Sequence, residues 1–401
     1  MTVRGAVTVT PARRAAFAVV LRTLDQGAYA DRALHGETRG LDPRDRALAK
    51  RLAFGAVQRR ATLDWLAARY AKGSLEPRVR AALHIGLEQL VFMDGVAEHA
   101  AIAQAVELAK PSRGHRVVNA VLRRVQREGV ELPPDDTPQG AAIRHSHPEW
   151  LVRAWWEWLG GDETRALLAA DNRPAESVLR VNALVTGVDL DDIPGRREDD
   201  AIVVEGAFDA FAHPGYAAGA FTPQSRASQR VAPFLGPQPG ERVLDLCAAP
   251  GGKTTHLAAL MENRGEIVAV ERHPGRAAAL EQTCARMRAD AVRVVCADAR
   301  ELDDPAGFDR VLLDPPCSGL GTLRTHPDLR WRVQAKDLPQ LAAQQDELLA
   351  AARRNLRPGG TLVYSVCTIS PPEERLEGVE RWRTLPHRDG TDGFYSARDG
   401  G

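Results

Sequence analysis

The sequence predicts a multidomain protein: an all-α module, a small α+β region, and a C-terminal α/β domain on a parallel sheet. Three observations carry this. Residues 11–128 read as helices almost throughout, and from residue 236 apolar strands alternate with helices. Between them, helix and strand patterns mix over a shorter stretch. The chain has 401 residues, more than one typical domain. The pattern changes divide it into residues 1–130, 145–235 and 236–401.

In the first module, "RDRALAKRLAFGAVQRRATLDWLAARYA" places Leu48, Leu52, Val57, Leu63 and Leu66 near helical spacing, with Arg on the other side. "VRAALHIGLEQLVFM", "HAAIAQAVELA" and "VVNAVLRRVQREG" continue it, punctuated by Gly73, Pro77, Gly95 and Pro111. "VELPPDDTPQGAAIRHSHPE" is rich in Pro and Asp and reads as a linker.

In the middle region, "PEWLVRAWWEWLGG" predicts a helix with a tryptophan face (Trp150, Trp155, Trp156, Trp158) that belongs to a core. "SVLRVNAL" and "DAIVVEG" predict short strands, and "FTPQSRASQRVAPFLG" a return to helix.

In the last domain, "ERVLDLC", "GEIVAVER", "VRVVCAD", "DRVLLD" and "GGTLVYSVCT" predict strands. "GKTTHLAALM", "RAAALEQTCARM" and "AAQQDELLAAARRNL" predict the helices between them. Mostly apolar strands in βα units predict a parallel sheet covered on both faces. Ligands on such sheets sit beyond the carboxyl ends of the strands. The charged "GFYSARDGG" reads as a tail.

Composition bounds the function. The chain is 44% hydrophobic and 26% charged, ordinary for a globular protein. No apolar run approaches the ~20 residues of a membrane span, and no signal peptide is read at the N-terminus, so the cytoplasm is expected. The five cysteines form no disulfide framework, and no Cys/His spacing suits zinc, so no metal is expected. Net charge is zero, yet residues 1–130 carry 22 Lys+Arg against 12 Asp+Glu. That segment is therefore +10 and the remainder −10. A basic module joined to an acidic one points to a polyanion partner.

The strand ends carry the chemistry. "VLDLCAAPGGKTTHL" is a strand, a small-residue loop and a helix, with Gly251 and Gly252 allowing close backbone approach. Lys253-Thr254 invites a phosphate-loop reading, but that motif needs Gly at 247, where Cys stands. Asp245 and the small loop instead suit an adenosine with a methionine tail. The next strand ends in Glu271, placed to accept from ribose hydroxyls, and the third in Asp298, placed for an adenine amino group. This order predicts S-adenosylmethionine as the cofactor.

"VLLDPPCSGLGTLRTHPDLRWR" adds Asp314 and Cys317, and "TLVYSVCTISPPEE" adds Cys367. A thiolate that adds to C6 of cytosine makes C5 able to take a methyl group. Methylation of an exocyclic amine needs no thiol, and its Asp/Asn-Pro-Pro loop usually ends in an aromatic residue. Cys317 therefore argues against that reaction. The strands before the two thiols are expected to be neighbours, about 4.8 Å apart, so both thiols reach one base. Cys284 and Cys296, and with them Cys247, read more simply as buried structural cysteines.

"LDLCAAPGGKT", "DPPCSGLGTLRTHPDLRW" and "YSVCT" together resemble the RNA cytosine-C5 methyltransferases. Over residues 10–400 the chain resembles the bacterial small-subunit ribosomal RNA methyltransferase B family (Sun or Fmu proteins). The resemblance implies a NusB-like RNA-binding domain, an α+β linker domain and a Rossmann-like S-adenosylmethionine-dependent methyltransferase domain. It implies a cofactor loop of Cys247, Ala248, Ala249, Pro250, Gly251, Gly252 and Lys253. Glu271 becomes the ribose-binding acid, with Asp298 and Asp314 the other cofactor-side acids. Cys367 becomes the nucleophile and Cys317 the residue that assists product release. Asp314 would also face the N3/N4 edge of the base, oriented by Lys253. Two positions depart from the family pattern: Val366 stands where Thr is usual, and Arg375 where Asn often is. The resemblance implies 16S ribosomal RNA as substrate and a monomer acting on it. A transfer RNA cytosine methyltransferase and a non-catalytic antitermination-type RNA binder are the alternatives, and the intact thiol pair argues against the second.

Overall fold

The computed structural model describes residues 8–206, 208–376 and 380–400. The chain forms two compact units. The first holds the chain up to Arg173 together with Leu323–Val333; the second holds Pro174–Thr322 and the chain from Gln334 onward.

The first unit is helical. Its successive helices are Pro11–Leu24, Ala30–Glu37, Pro43–Gln58, Arg60–Tyr70, Pro77–Phe92, Glu98–Ala109 and His115–Glu128, then Pro138–Arg144, Glu149–Leu159 and Gly161–Asp171. Proline opens four of them, where its missing N–H costs nothing. Asp42 caps one helix by accepting from the Asp45 N–H at 2.8 Å. Leu52, Val57, Leu63 and Leu66 lie in one buried core with Leu83, Ile85 and Leu122, and Leu48 packs against it half-buried. His115–Glu128 buries Val118, Val121, Leu122 and Val125 and leaves Arg116, Arg123, Arg124 and Arg127 exposed. Of the tryptophan face only Trp155 is buried; Trp150, Trp156 and Trp158 are half-exposed.

The segment read as a linker is built into this unit. Its helix Pro138–Arg144 is held by Thr62 Oγ1, which donates to the Ile143 carbonyl at 2.6 Å, and by Ser146 Oγ, which accepts from the Ala61 N–H at 3.0 Å. Local Pro and Asp content does not reveal such non-local partners.

Residues 323–333 fold with these helices. Arg330 is fully buried and donates to the Ser146 carbonyl (2.9 Å), Asn172 Oδ1 (3.1 Å) and the Asp171 carbonyl (3.3 Å). Trp331 Nε1 donates to the Val57 carbonyl at 2.6 Å.

The second unit contains two sheets. Strands β1 (Ser177–Val181), β2 (Gly195–Glu198), β3 (Ala201–Val204) and β4 (Phe221–Pro223) form an antiparallel sheet in the order β2-β3-β1-β4. The helix expected from "FTP" onward starts later: those residues pair with β1, and short helices start at Arg226.

The larger sheet comprises β5 (Arg242–Leu246), β6 (Glu266–Val270), β7 (Val292–Val295), β8 (Phe308–Leu313), β9 (Leu356–Val366), β10 (Glu380–Thr384) and β11 (Phe394–Asp399). Its order is β10-β11-β9-β8-β5-β6-β7. The five strands from β5 to β9 run parallel, with β8 beside β9 as expected. The sheet is not wholly parallel, because β10 and β11 form an antiparallel edge. Nor is "GFYSARDGG" a tail: Phe394, Tyr395, Ser396 and Ala397 are buried, and Ser396 Oγ donates to the Tyr364 carbonyl at 3.0 Å. Among the described residues no helix is long and apolar enough to cross a membrane.

Candidate active site

The loop after β5 turns sharply. Cys247 has φ 64°, and Gly251 has φ 103° at the start of helix Gly252–Leu260. A Cβ on Gly251 would lie 2.8 Å from Leu280 Cδ1, so both conformation and space require glycine there. The Ala248 N–H donates to the Val270 carbonyl at 3.0 Å, and Arg276 Nη2 donates to the Ala249 carbonyl at 2.9 Å. Buried Arg180 of β1 steadies the helix start by donating to Thr255 Oγ1 (2.8 Å) and the Gly252 carbonyl (3.2 Å). Asp245 is buried beneath the loop and accepts from Thr254 Oγ1 at 2.6 Å; burial pushes its carboxyl up to about 7.

Beside this loop, at the ends of β6 and β7, lies a cleft of about 200 Å³. Cys247, Glu271 and Asp298, three residues proposed from the sequence, line it together with Val270, Pro316 and Leu348. Ala248, Ala249, Pro250, Gly251 and Gly252 shape the loop without lining the cleft. Glu271 is buried, accepts from the His273 N–H at 2.9 Å through Oε1, and has Oε2 3.4 Å from Arg276 Nε. Apolar walls for a flat ring and a carboxylate at one edge fit an S-adenosyl group. Asp298 is more committed than its place at a strand end suggests. Arg300 donates to both its oxygens, at 2.6 and 3.0 Å, and holds its carboxyl down at about 2. Arg300 and Arg276 are cleft residues that sequence reasoning missed.

Replacing Glu271 tests this cleft. Glu271→Ala should weaken S-adenosylmethionine binding by about 1.5–3 kcal/mol, the worth of hydrogen bonds to a charged acceptor. Calorimetry on the purified variant measures it, and unchanged affinity would reject the assignment.

The thiols stand at the ends of the two central strands. Leu313 of β8 pairs with Tyr364 of β9, so the loops that follow emerge side by side. Cys317 Sγ and Cys367 Sγ are 3.4 Å apart. Lys253 Nζ donates to Asp314 Oδ2 at 2.6 Å and lies 5.4 Å from the Phe394 ring centroid. Burial alone would lower the Lys253 pKa, but the charge and hydrogen bond of Asp314, with Cys367 and Asp245 behind them, hold it raised. The Cys317 thiol is held well above its ordinary value, first by its hydrogen bond with Cys367, then by burial and by the charges of Cys367, Glu373 and Asp314. Cys317 is thus held away from ionisation, and either sulfur can be the donor in the contact between them. Gly321 secures the loop: its N–H donates to the Cys367 carbonyl at 3.1 Å, and a Cβ there would meet the Gly393 carbonyl oxygen at 1.9 Å.

The other cysteines separate. Cys284 is buried and pushed up to about 12, first by burial. Cys247 is also pushed to about 12 by burial, then by Asp314, Asp245 and Glu271, which makes it a poor nucleophile. Cys296, read as a buried structural cysteine, is exposed at the end of outer strand β7. Val366 is wholly buried in β9, and Arg375 forms an ion pair with Asp346. A larger cavity of about 730 Å³, lined by Arg230, Phe234, His256 and Trp382, contains none of the predicted site residues.

Comparison with known proteins adds three family matches. Residues 10–127 match the NusB family, 147–190 a ferredoxin-like domain of RsmF/B-like methyltransferases, and 232–382 the 16S rRNA methyltransferase RsmB/F model. The chain is 33% identical to ribosomal RNA small subunit methyltransferase B of Vibrio cholerae serotype O1, covering 96% of each protein. It is 36% identical to the methyltransferase B of Pseudomonas putida, covering 90% of this chain and 86% of that one. The crystal structure of PH0851 superposes with a TM-score of 0.82 at 25% identity, covering 98% of this chain and 99% of that one.

Proposed function

The chain belongs to the ribosomal RNA small subunit methyltransferase B family, whose members use S-adenosylmethionine, and we propose that it methylates C5 of a cytosine in 16S ribosomal RNA through a bond between Cys367 and C6. The observation that carries this reading is the pair of thiols 3.4 Å apart, beside a carboxylate held by a lysine. A methyltransferase acting on an exocyclic nitrogen has no use for either thiol.

Cys367 attacks C6, and the new bond makes C5 electron-rich. S-adenosylmethionine supplies an electrophilic methyl group when bound. Residues Glu271, Cys247 and the walls of the neighbouring cleft would hold it. Asp314 faces the N3/N4 edge of the base, and Lys253 fixes its orientation. Once Cys367 is a thioether, its hydrogen bond with Cys317 changes, and that bond is the largest influence raising the Cys317 pKa. Cys317 can then release its proton to water and take up the C5 proton. The C5–C6 double bond re-forms and Cys367 leaves as thiolate. The two roles thus follow in sequence from one coupled pair.

In this reading residues 1–130 and 145–235 bind RNA and residues 236–401 carry the reaction; the three family matches support that division. The exposed arginines of His115–Glu128 suit phosphates. Cofactor loop, acids and both thiols come from one chain, so a monomer suffices, and a ribosomal RNA substrate implies work in the cytoplasm.

Bisulfite sequencing of 16S ribosomal RNA from a strain lacking the gene tests the substrate. One cytosine should lose its protection and regain it with the wild-type gene. An unchanged 16S pattern beside an altered transfer RNA would move the substrate to the latter.

A further inference from the structure

We propose that Glu373 is a positioning residue for the cysteine pair, a buried carboxylate that sets the separation of Cys317 and Cys367 by binding the residue after each. The inference rests on the thiol mechanism above. Glu373 is fully buried. Its Oε1 accepts from the Ser318 N–H at 2.7 Å and from Gln345 Nε2 at 3.2 Å. Its Oε2 accepts from Ser318 Oγ at 2.5 Å and from Thr368 Oγ1 at 3.0 Å. The two hydroxyls are themselves 2.6 Å apart. Ser318 follows one thiol and Thr368 follows the other, so one side chain ties both catalytic loops.

The carboxylate is in turn held from behind. Tyr364 of β9 donates its hydroxyl to the Glu373 carbonyl at 2.7 Å. Gln345, on helix Leu338–Arg354, also donates to the Pro316 carbonyl at 3.0 Å, directly before Cys317. Among the described residues, every donor that reaches the Glu373 carboxylate is neutral. A buried carboxylate without a cation in contact is costly, and only its full set of hydrogen bonds offsets that cost. An apolar residue would fill the space at less expense but could not fix the two loops in register. The charge also acts on the chemistry, since it contributes to holding the proton on Cys317.

Loss of the clamp should therefore upset the hand-over between attack and release more than folding. The test is a single-turnover reaction of Glu373→Gln with labelled RNA and S-adenosylmethionine, scored for the ratio of denaturation-resistant adduct to methylated product. The amide keeps the size of the side chain but is neutral and its nitrogen only donates, so the Ser318 and Thr368 hydroxyls must turn to accept from it and their charge-assisted bonds are lost. The ratio should rise about tenfold over wild type, as expected when charged hydrogen bonds give way to neutral ones. S-adenosylmethionine affinity should stay unchanged, which reports an intact fold. Glu373→Ala should raise the ratio further if it folds; the Gln variant carries the test if it does not. A lower active fraction with the wild-type ratio would overturn the proposal in favour of a merely structural role. Failure of the mechanism itself looks different: wild type and both cysteine variants would then turn over alike with no adduct at all.

Discussion

Cys367→Ala should neither methylate RNA nor trap it, whereas Cys317→Ala should accumulate a protein–RNA adduct that survives denaturation when S-adenosylmethionine is present. The first variant lacks the atom that bonds to C6, so turnover should fall at least about a thousandfold, as when other nucleophiles are removed. The second retains attack and methyl transfer but has no neighbouring sulfur to take the C5 proton, so it stalls with the base attached. The resting protonation argues for this assignment of roles. A free cysteine is only a few per cent thiolate at neutral pH, and Cys317 is pushed further from ionisation by its partner, by burial and by two carboxylates. The thiol that keeps its proton is ill suited to attack first. A denaturing gel of each variant with labelled RNA decides the matter. An adduct with Cys367→Ala and none with Cys317→Ala would reverse the roles.

Arg330→Met should destabilise the helical unit by about 3–5 kcal/mol, the usual cost of removing one partner from a buried charged network. Arg330 is wholly buried, and burial lowers its pKa to about 10, so it remains charged at neutral pH. Its guanidinium satisfies the carbonyls of Ser146 and Asp171 and the Asn172 side chain, and the Asp171 charge favours the cation. Methionine matches the bulk but donates to none of these groups. Chemical denaturation followed by helical circular dichroism measures the loss. Arg153→Ala is the control: it removes an exposed arginine, paired with Glu149 one helical turn away, and should cost under about 1 kcal/mol. Equal effects from both variants would show that burial at position 330 does not matter.

Much of the catalytic half was legible because its signals are local. A strand, a small-residue loop and a helix are contiguous in "VLDLCAAPGGKTTHL", and an acid at a strand end can be placed without knowing its neighbours. Glu271, Cys317 and Cys367 are placed at strand ends that way. What escaped depends on distant partners. β10 reads "ERWRT", whose charges suit an exposed edge, and it becomes a strand only by pairing with β11. Arg330 looks like a surface residue until the carbonyls of Gln58, Ser146 and Asp171 surround it. Glu373 carries no local signal, since its contacts require Ser318, 55 positions away. Cys296 misled because apolar "VVCA" suggests burial, whereas β7 is the outermost strand and leaves the sulfur exposed.

The residence of Leu323–Val333 among the helices has a bearing on how this architecture could have been assembled and how it can be taken apart. An appended domain joined end to end can be lost or exchanged by a single cut between its gene and its neighbour's. Here the chain of the catalytic unit lends eleven residues to the helical one and then returns. A fragment starting at Pro174 would keep both its sheets but carry Arg330 and Trp331 with no acceptor for either. Recombination that swapped the N-terminal module would have to replace a second, distant stretch at the same time. The two units are thus interleaved in the chain, although their sequences read as separate ones.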